Sequence, residues 1–379
     1  MSAENKIAYI HSDLFLTYCN KLPKVKQRAS IVHSLIEAYG LLKLENISIV
    51  EPEAATVHDL TRFHSKDYVT CLQKASECCD DSEMEDDFEA YGIGFDCPSF
   101  EDFYDCLSNI AGGTLKAAQC LNNKSHSIAI NWAGGWHHAH RDEAAGFCYV
   151  NDIVLGILKL KERFPKVLYI DLDLHHGDGV QEAFFHTPSV FTLSFHKYAA
   201  GFFPGTGSCF EVGEGKGKHH TLNIPLLDGI NDKLFAEIVK LVVKDVNSYF
   251  QPDAIVCQCG VDGLAGDPMN SFNLTQYGLA ACVHYISSLQ RPLLLLGGGG
   301  YNFPNAARCW TYITAMLLNR KLPSNIPEHE FFLKYGPDYS LEIAPHDFRP
   351  NKNSGRYIKG VLSVFKGNLE KMADVWNSK

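Results

Sequence analysis

The run KVLYIDLDLHHGDG, residues 166–179, decides the fold class. Its opening residues, Val167 to Ile170, are apolar or aromatic throughout, as in a strand buried on both faces. Polarity then inverts: three aspartates, two histidines and two glycines fall between Asp171 and Gly179. A buried strand that ends in titratable residues is the pattern of an α/β protein, whose ligands sit beyond the carboxyl ends of its strands. The pattern repeats outward. Residues 7–10, 127–131, 189–195, 221–226, 254–260 and 292–297 also read as strands. Helix-period segments lie between them, at 28–39, 103–121, 152–163, 231–250, 275–289 and 306–318, with one more helix expected after Pro345. This alternation predicts α/β architecture, doubly wound on a parallel sheet. No repeat or linker divides the chain, so residues 1–379 read as a single domain. The acidic stretch 80–89 reads as a solvated loop, with a rim attracting a cationic substrate as the alternative.

Lys+Arg number 34 against 44 Asp+Glu, a net charge of −10, which disfavours a grip on nucleic-acid phosphates along the whole surface, so no direct sequence-specific nucleic-acid binding is expected, and suits cationic partners such as lysine-rich tails. The 13 cysteines are odd in number and follow no basic-then-apolar leader, so free thiols in a reducing compartment are expected. No apolar run approaches the roughly 18 residues a membrane helix needs, so no membrane association is expected.

The other strand ends carry residues 131–138 (NWAGGWHH), His196 with 201–207 (GFFPGTG), 260–262 (GVD) and 297–301 (GGGGY). Asp171, Asp173 and His175 alternate, so an extended strand would point all three to one side. Two carboxylates about 7 Å apart on a buried face repel unless a cation or donor compensates. Asp173 and His175, joined by Asp262, form an O, N, O set with an open position, the form of a catalytic zinc site; the same ligands suit Fe²⁺. For any one of these residues alone, an ion-paired or capping role is the competing reading. His137 and His138 are candidates for general base and acid, roles that need different protonation states, and Asp171 and Asp178 are the carboxylates available to orient them. Tyr301 follows four glycines and could donate to an oxyanion opposite the metal, although the glycines could equally serve a tight turn. Gly146-Phe147 and Phe202-Phe203 could wall a narrow tube for an alkyl chain; singly, each pair reads as core. Cys257 and Cys259 read as inert core. Cys97 and Cys148 read as core thiols near the site, with a redox pair as the alternative. No Gly-x-Ser-x-Gly elbow supports a serine hydrolase.

Residues 131–139 (NWAGGWHHA), 143–149 (EAAGFCY), 171–179 (DLDLHHGDG) and 297–301 (GGGGY) together resemble the class I metal-dependent histone deacetylases. The resemblance covers residues 7–368. It implies an arginase-like fold with a central eight-stranded parallel sheet, and hydrolysis of the acetyl amide of Nε-acetyl-lysine in histones and other proteins. It assigns one catalytic Zn²⁺, with Fe²⁺ the alternative, to Asp173, His175 and Asp262. It assigns the base and acid to His138 with His137, their carboxylates to Asp171 and Asp178, and carbonyl polarisation to Tyr301. It places Gly146, Phe147, Phe203, Met269 and Gly299 around the acyl-lysine, and Asp96 on the substrate backbone at the rim. It gives Arg28 to an acetate exit channel and makes Ser30 a candidate phosphosite.

The resemblance also implies K⁺ at an inner site (Asp171, Asp173, His175, Ser194, Phe195) and an outer one (Phe184, Thr187, Val190, His220). The inner cation would offset the Asp171–Asp173 repulsion. Expected settings are nucleus and cytoplasm, in chromatin regulation and transcriptional repression. Residues 27–39, the run 266–269 and the end at Lys379 point to an isozyme that acts without an obligatory corepressor complex. His140-Arg141 and Val261-Asp262-Gly263 depart from the family pattern without removing a catalytic group. A ureohydrolase, an acetylpolyamine hydrolase and a catalytically dead acetyl-lysine reader are the rival readings.

Overall fold

The computed structural model describes residues 6–77 and 86–377. Among them eight strands form one sheet: β1 (Ile7–Ile10), β2 (Ile47–Val50), β3 (Ile128–Asn131), β4 (Val167–Asp171), β5 (Val190–Lys197), β6 (Thr221–Leu226), β7 (Ala254–Gln258) and β8 (Leu293–Leu296). Their spatial order is β2-β1-β3-β8-β7-β4-β5-β6, and every pairing is parallel. Alternate residues of one strand enter opposite cores. Leu293 and Leu295 join one apolar cluster, and Leu294 and Leu296 the other. That two-sided burial is why the central strands read as unbroken apolar runs.

One face of the sheet is covered by α1 (Asp13–Cys19), α3 (Val57–Leu60), α4 (Lys66–Glu77), α5 (Asp86–Ala90), α6 (Phe103–Asn122), α7 (Asp152–Leu160) and α8 (Asp178–Phe184). The other is covered by α2 (Arg28–Ala38), α9 (Asp232–Phe250), α10 (Gln276–Ser288), α11 (Phe303–Leu317) and α12 (Gly355–Asn377). None of the described helices is long and apolar enough to cross a membrane. α11 is anchored at the sheet centre by Trp310, which is fully buried, stacks on Trp132 at 5.6 Å and donates from Nε1 to the Cys259 carbonyl at 2.9 Å.

The structure departs from the sequence reading in four places. β2 was not expected: it pairs with β1 alone and leaves Ser48 and Ile49 exposed, so it lacks the two-sided pattern of the inner strands. The strands expected to reach 173 and 260 stop at Asp171 and Gln258. There a side chain replaces the ladder: Asp171 Oδ1 accepts the Asp173 N–H at 3.1 Å, and Gln258 Oε1 accepts the Gly260 N–H at 2.7 Å. Asp173 and His175 therefore lie on a bend rather than an extended strand. Residues 86–89 of the acidic stretch belong to α5, while 80–85 lie outside the described residues. Helices α1, α3, α4 and α8 also went unread.

The strand order reverses around β3, β8, β7 and β4. β7 and β8 return late in the chain to fill the space between β3 and β4. Their carboxyl ends become neighbours, and a crevice at such a reversal is where open α/β sheets bind ligands.

Candidate metal centre and active site

Asp173, His175 and Asp262 are buried, and their ligand atoms lie within 4.8 Å of one another. His175 Nδ1 is 2.8 Å from Asp262 Oδ2 and 3.3 Å from Asp173 Oδ1. Asp173 is strongly solvated by protein donors: Gln258 Nε2 at 2.7 Å, the Gly299 N–H at 2.9 Å and the His175 N–H at 3.0 Å. Burial would raise its pKa, but the charges and hydrogen bonds of His137 and His175 hold it well below the usual carboxylate range. Asp262 moves the opposite way, pushed up by burial and by the negative charge of Asp173. His175 is held at about 10, because the two carboxylates outweigh burial. Two buried carboxylates and an imidazole converging on one point form a donor set that fits a divalent cation. Gly299 is needed for this approach, since a Cβ there would fall 2.4 Å from Asp262 Oδ2.

The histidine pair stands beside this set. The loop after β3 is pinned by buried Asp152, which accepts the N–H groups of Gly135 at 3.0 Å and Trp136 at 2.8 Å and the Thr114 hydroxyl at 2.5 Å. His137 Nδ1 meets Asp171 Oδ2 at 2.8 Å, and His138 Nδ1 meets Asp178 Oδ1 at 2.7 Å. Asp171 Oδ2 also accepts the Tyr169 hydroxyl at 2.6 Å. The two Nε2 atoms face each other at 3.0 Å. With each Nδ1–H given to its carboxylate, one proton serves both Nε2 atoms. Burial would lower both pKa values. For His137 the charges of Asp171 and Asp173 overturn this, to about 9; for His138 burial and the neighbouring His137 charge win, to about 4. The two imidazoles thus differ in charge near neutrality.

Tyr301 follows β8, its N–H held by Asp267 Oδ2 at 2.7 Å and its ring edge-on to Phe147 at 5.8 Å. Burial and the charges of Asp262 and Asp173 raise its phenol well above the ordinary value, so it keeps its proton. Phe203 lies edge-on to His138 at 4.8 Å. Phe202 turns away: it stacks flat on His175 at 5.1 Å under the Lys197 ammonium, and so buttresses the metal set instead of forming a wall. Gly146, at φ +54°, approaches His138 and Phe203; a Cβ there would sit 2.5 Å from His138 Cδ2 and 2.9 Å from Phe203 Cε1. Gly146→Ala is therefore expected to raise KM several-fold and to destabilise the fold by about 1–2 kcal/mol, the cost of a left-handed L-residue. Peptide kinetics beside thermal melts check this, and an unchanged KM would contradict the contact.

Asp96 Oδ2 accepts the Gly146 N–H at 3.0 Å. The Met269 N–H is held by Asp267 Oδ1 at 2.9 Å, which ties its loop to Tyr301. Arg28 is buried, donates to the Gly300 carbonyl at 2.9 Å and lies against Trp136 and Trp310. It lines both the cavity that reaches His137, His138 and Tyr301 and a second, inner cavity bounded by His11 and His33. Asp171 pairs in register with Ser194, next to Phe195. Phe184 and Thr187 adjoin the start of β5 at Val190, where Thr192 donates to the His220 carbonyl at 2.9 Å. Ser30 Oγ is held by Asn20 Nδ2 at 2.6 Å. Cys97 and Cys148 are buried free thiols with raised pKa values; burial pushes Cys97 to about 12.

Sequence reading missed Gln258, Asp152 and Asp267, which hold ligands and loops in place. It also missed Gln181, Glu211 and the His176–Thr206 contact at 2.8 Å, which fix the loop carrying Phe203. The run 266–269 contained Asp267, but nothing in it marked a carboxylate that would accept the N–H groups of Tyr301 and Asn302.

An α/β sheet with a buried Asp–His–Asp set, a carboxylate-backed histidine pair and a neutral tyrosine fits a metal-dependent hydrolase site. Residues 22–317 match the histone deacetylase domain, and the chain belongs to that family. It is 50% identical over 365 residues to histone deacetylase 8 of Xenopus tropicalis, across 96% of this chain and 98% of that one. It is 49% identical over 370 residues to histone deacetylase 8 of Danio rerio, across 97% and 96% of the two chains. This chain is accordingly a hydrolase of the deacetylase type.

Proposed function

We propose that the chain hydrolyses the acetyl amide of Nε-acetyl-lysine in proteins, histone tails and non-histone proteins alike, releasing acetate. The observation that carries this reading is the Asp173–His175–Asp262 set beside two histidines, one cationic and one neutral, with Phe203 edge-on to His138 and Phe147 edge-on to Tyr301. Zn²⁺, or Fe²⁺ in its place, would be held by those three residues and supply Lewis acidity toward the amide carbonyl and water.

The apolar tube accepts the uncharged acyl-lysine chain, and Asp96 at the rim grips the peptide backbone. His138, neutral and oriented by Asp178, takes a proton from the attacking water. The single proton shared by the histidine pair then serves the leaving amine. Tyr301 donates its hydroxyl to the oxygen that gains charge. The Arg28 guanidinium draws acetate toward the inner cavity. K⁺ near Asp171 and Ser194 would balance the carboxylates, and a second would sit near Phe184 and His220. The enzyme acts without an obligatory corepressor, in nucleus and cytoplasm.

The test is acetate release from an Nε-acetyl-lysyl peptide by protein reconstituted with Zn²⁺ or Fe²⁺ in K⁺ buffer. Release proportional to one bound metal is expected. Two metals per chain would favour a ureohydrolase. Turnover of acetylpolyamine alone would move the substrate class, and a folded, metal-loaded protein with no turnover would make it a reader.

A further inference from the structure

His140 lies on the far side of Asp178 from His138. Asp178 Oδ1 receives His138 Nδ1 at 2.7 Å, while its Oδ2 lies 3.7 Å from His140 Nε2. The other His140 nitrogen, Nδ1, is 2.5 Å from Glu182 Oε2. Side-chain exposure climbs along this series, from 5% at His138 to 24% at His140 and 67% at Glu182, so it runs from the buried pair to water. The His140 N–H is fixed on the Glu143 carbonyl at 2.9 Å. The charged and titratable groups around the ring are Asp178 and Glu182 on α8, Arg141, Asp142 and Glu143 on its own loop, and His64, whose Nδ1 pairs with the Arg141 carbonyl at 3.0 Å. Among the described residues only the two α8 carboxylates come within ion-pair distance of the imidazole nitrogens.

We propose that His140 is a positioning residue: its charged form holds the outer oxygen of Asp178 so that the inner oxygen stays on His138, and loss of its proton lets Asp178 relax and slows catalysis. The inference rests on the reading of His138 as general base. The ion-pair contact with Asp178 is the largest influence on His140 and raises it, burial opposes, and the charges of Asp178 and Glu182 bring it to about 9. His140 is therefore cationic at neutral pH, and its hold on Asp178 weakens as pH rises through that value.

The experiment measures kcat against pH, from 6 to 10.5, on the metal-loaded enzyme with an acetyl-lysyl peptide. It compares the unaltered chain with His140→Lys and His140→Gln, and follows the His140 ring in the unaltered chain by NMR. The expected result is an alkaline limb in kcat that coincides with the NMR titration of His140. His140→Lys keeps the plateau, since lysine stays charged up to about 10.4. His140→Gln lowers the plateau by about tenfold, the lower range for loss of an outer partner, and leaves only the limb that follows the His137 proton. A plateau unchanged in His140→Gln, or a His140 midpoint at or below the ordinary value, would overturn the proposal. An unaltered chain with no turnover at any pH would sink the deacetylation reading itself, and this inference with it.

Discussion

Asp262→Asn is expected to empty the centre of divalent metal and to abolish deacetylation with it. Asp262 is fully buried, and its two oxygens have separate tasks: Oδ1 accepts the Leu174 N–H at 3.0 Å, and Oδ2 faces His175 at 2.8 Å. An asparagine can keep the first contact through its own oxygen, so the bend that carries Asp173 and His175 survives. It cannot supply the second anionic donor, which leaves one carboxylate and one imidazole for the metal. Loss of a mere outer partner lowers metal affinity by about 10–100-fold, and loss of a direct ligand must exceed that. Metal content by mass spectrometry, read beside circular dichroism and acetate release, decides the matter. A folded variant that keeps one equivalent of metal at unchanged affinity would remove Asp262 from the ligand set.

The second large effect is expected for Tyr301→Phe, which should lower kcat by about 10²–10³-fold, or about 2.7–4 kcal/mol, as for loss of one oxyanion donor. The phenol is raised by burial and by the charges of two carboxylates and keeps its proton, so at neutral pH it can donate. Phenylalanine preserves the edge-on packing with Phe147, and the backbone stays tied to Asp267. KM and metal content should therefore barely move while kcat falls. Separate kcat and KM values on a metal-loaded sample provide the check, and an unchanged kcat would take Tyr301 out of the chemistry.

The sequence alone was enough for the class of fold, because parallel strands buried on both faces leave unbroken apolar runs such as residues 293–296. It also singled out Asp173, His175, Asp262 and the histidine pair, which the fold brings together, because titratable residues cluster after strands where an apolar core would reject them. An edge strand with one open face left no such trace, and β2 went unread. Nor could local pattern show where β4 ends, since that depends on Asp171 accepting the N–H of Asp173 in competition with the ladder.

Tertiary structure alone decided which distant residues meet. The late return of β7 and β8 between β3 and β4 brings Asp262 onto His175 across 87 positions of sequence, and sets Gln258 against Asp173. It turns Phe203 toward His138 and its neighbour Phe202 onto the back of His175, a division that adjacent identical residues cannot reveal. It also sets the charges. His137 and His138 are the same residue type at consecutive positions, yet one is held protonated and the other neutral. The reason is physical: sequence fixes which groups can ionise, but burial and the distance to each carboxylate, both products of the folded chain, fix which of them do.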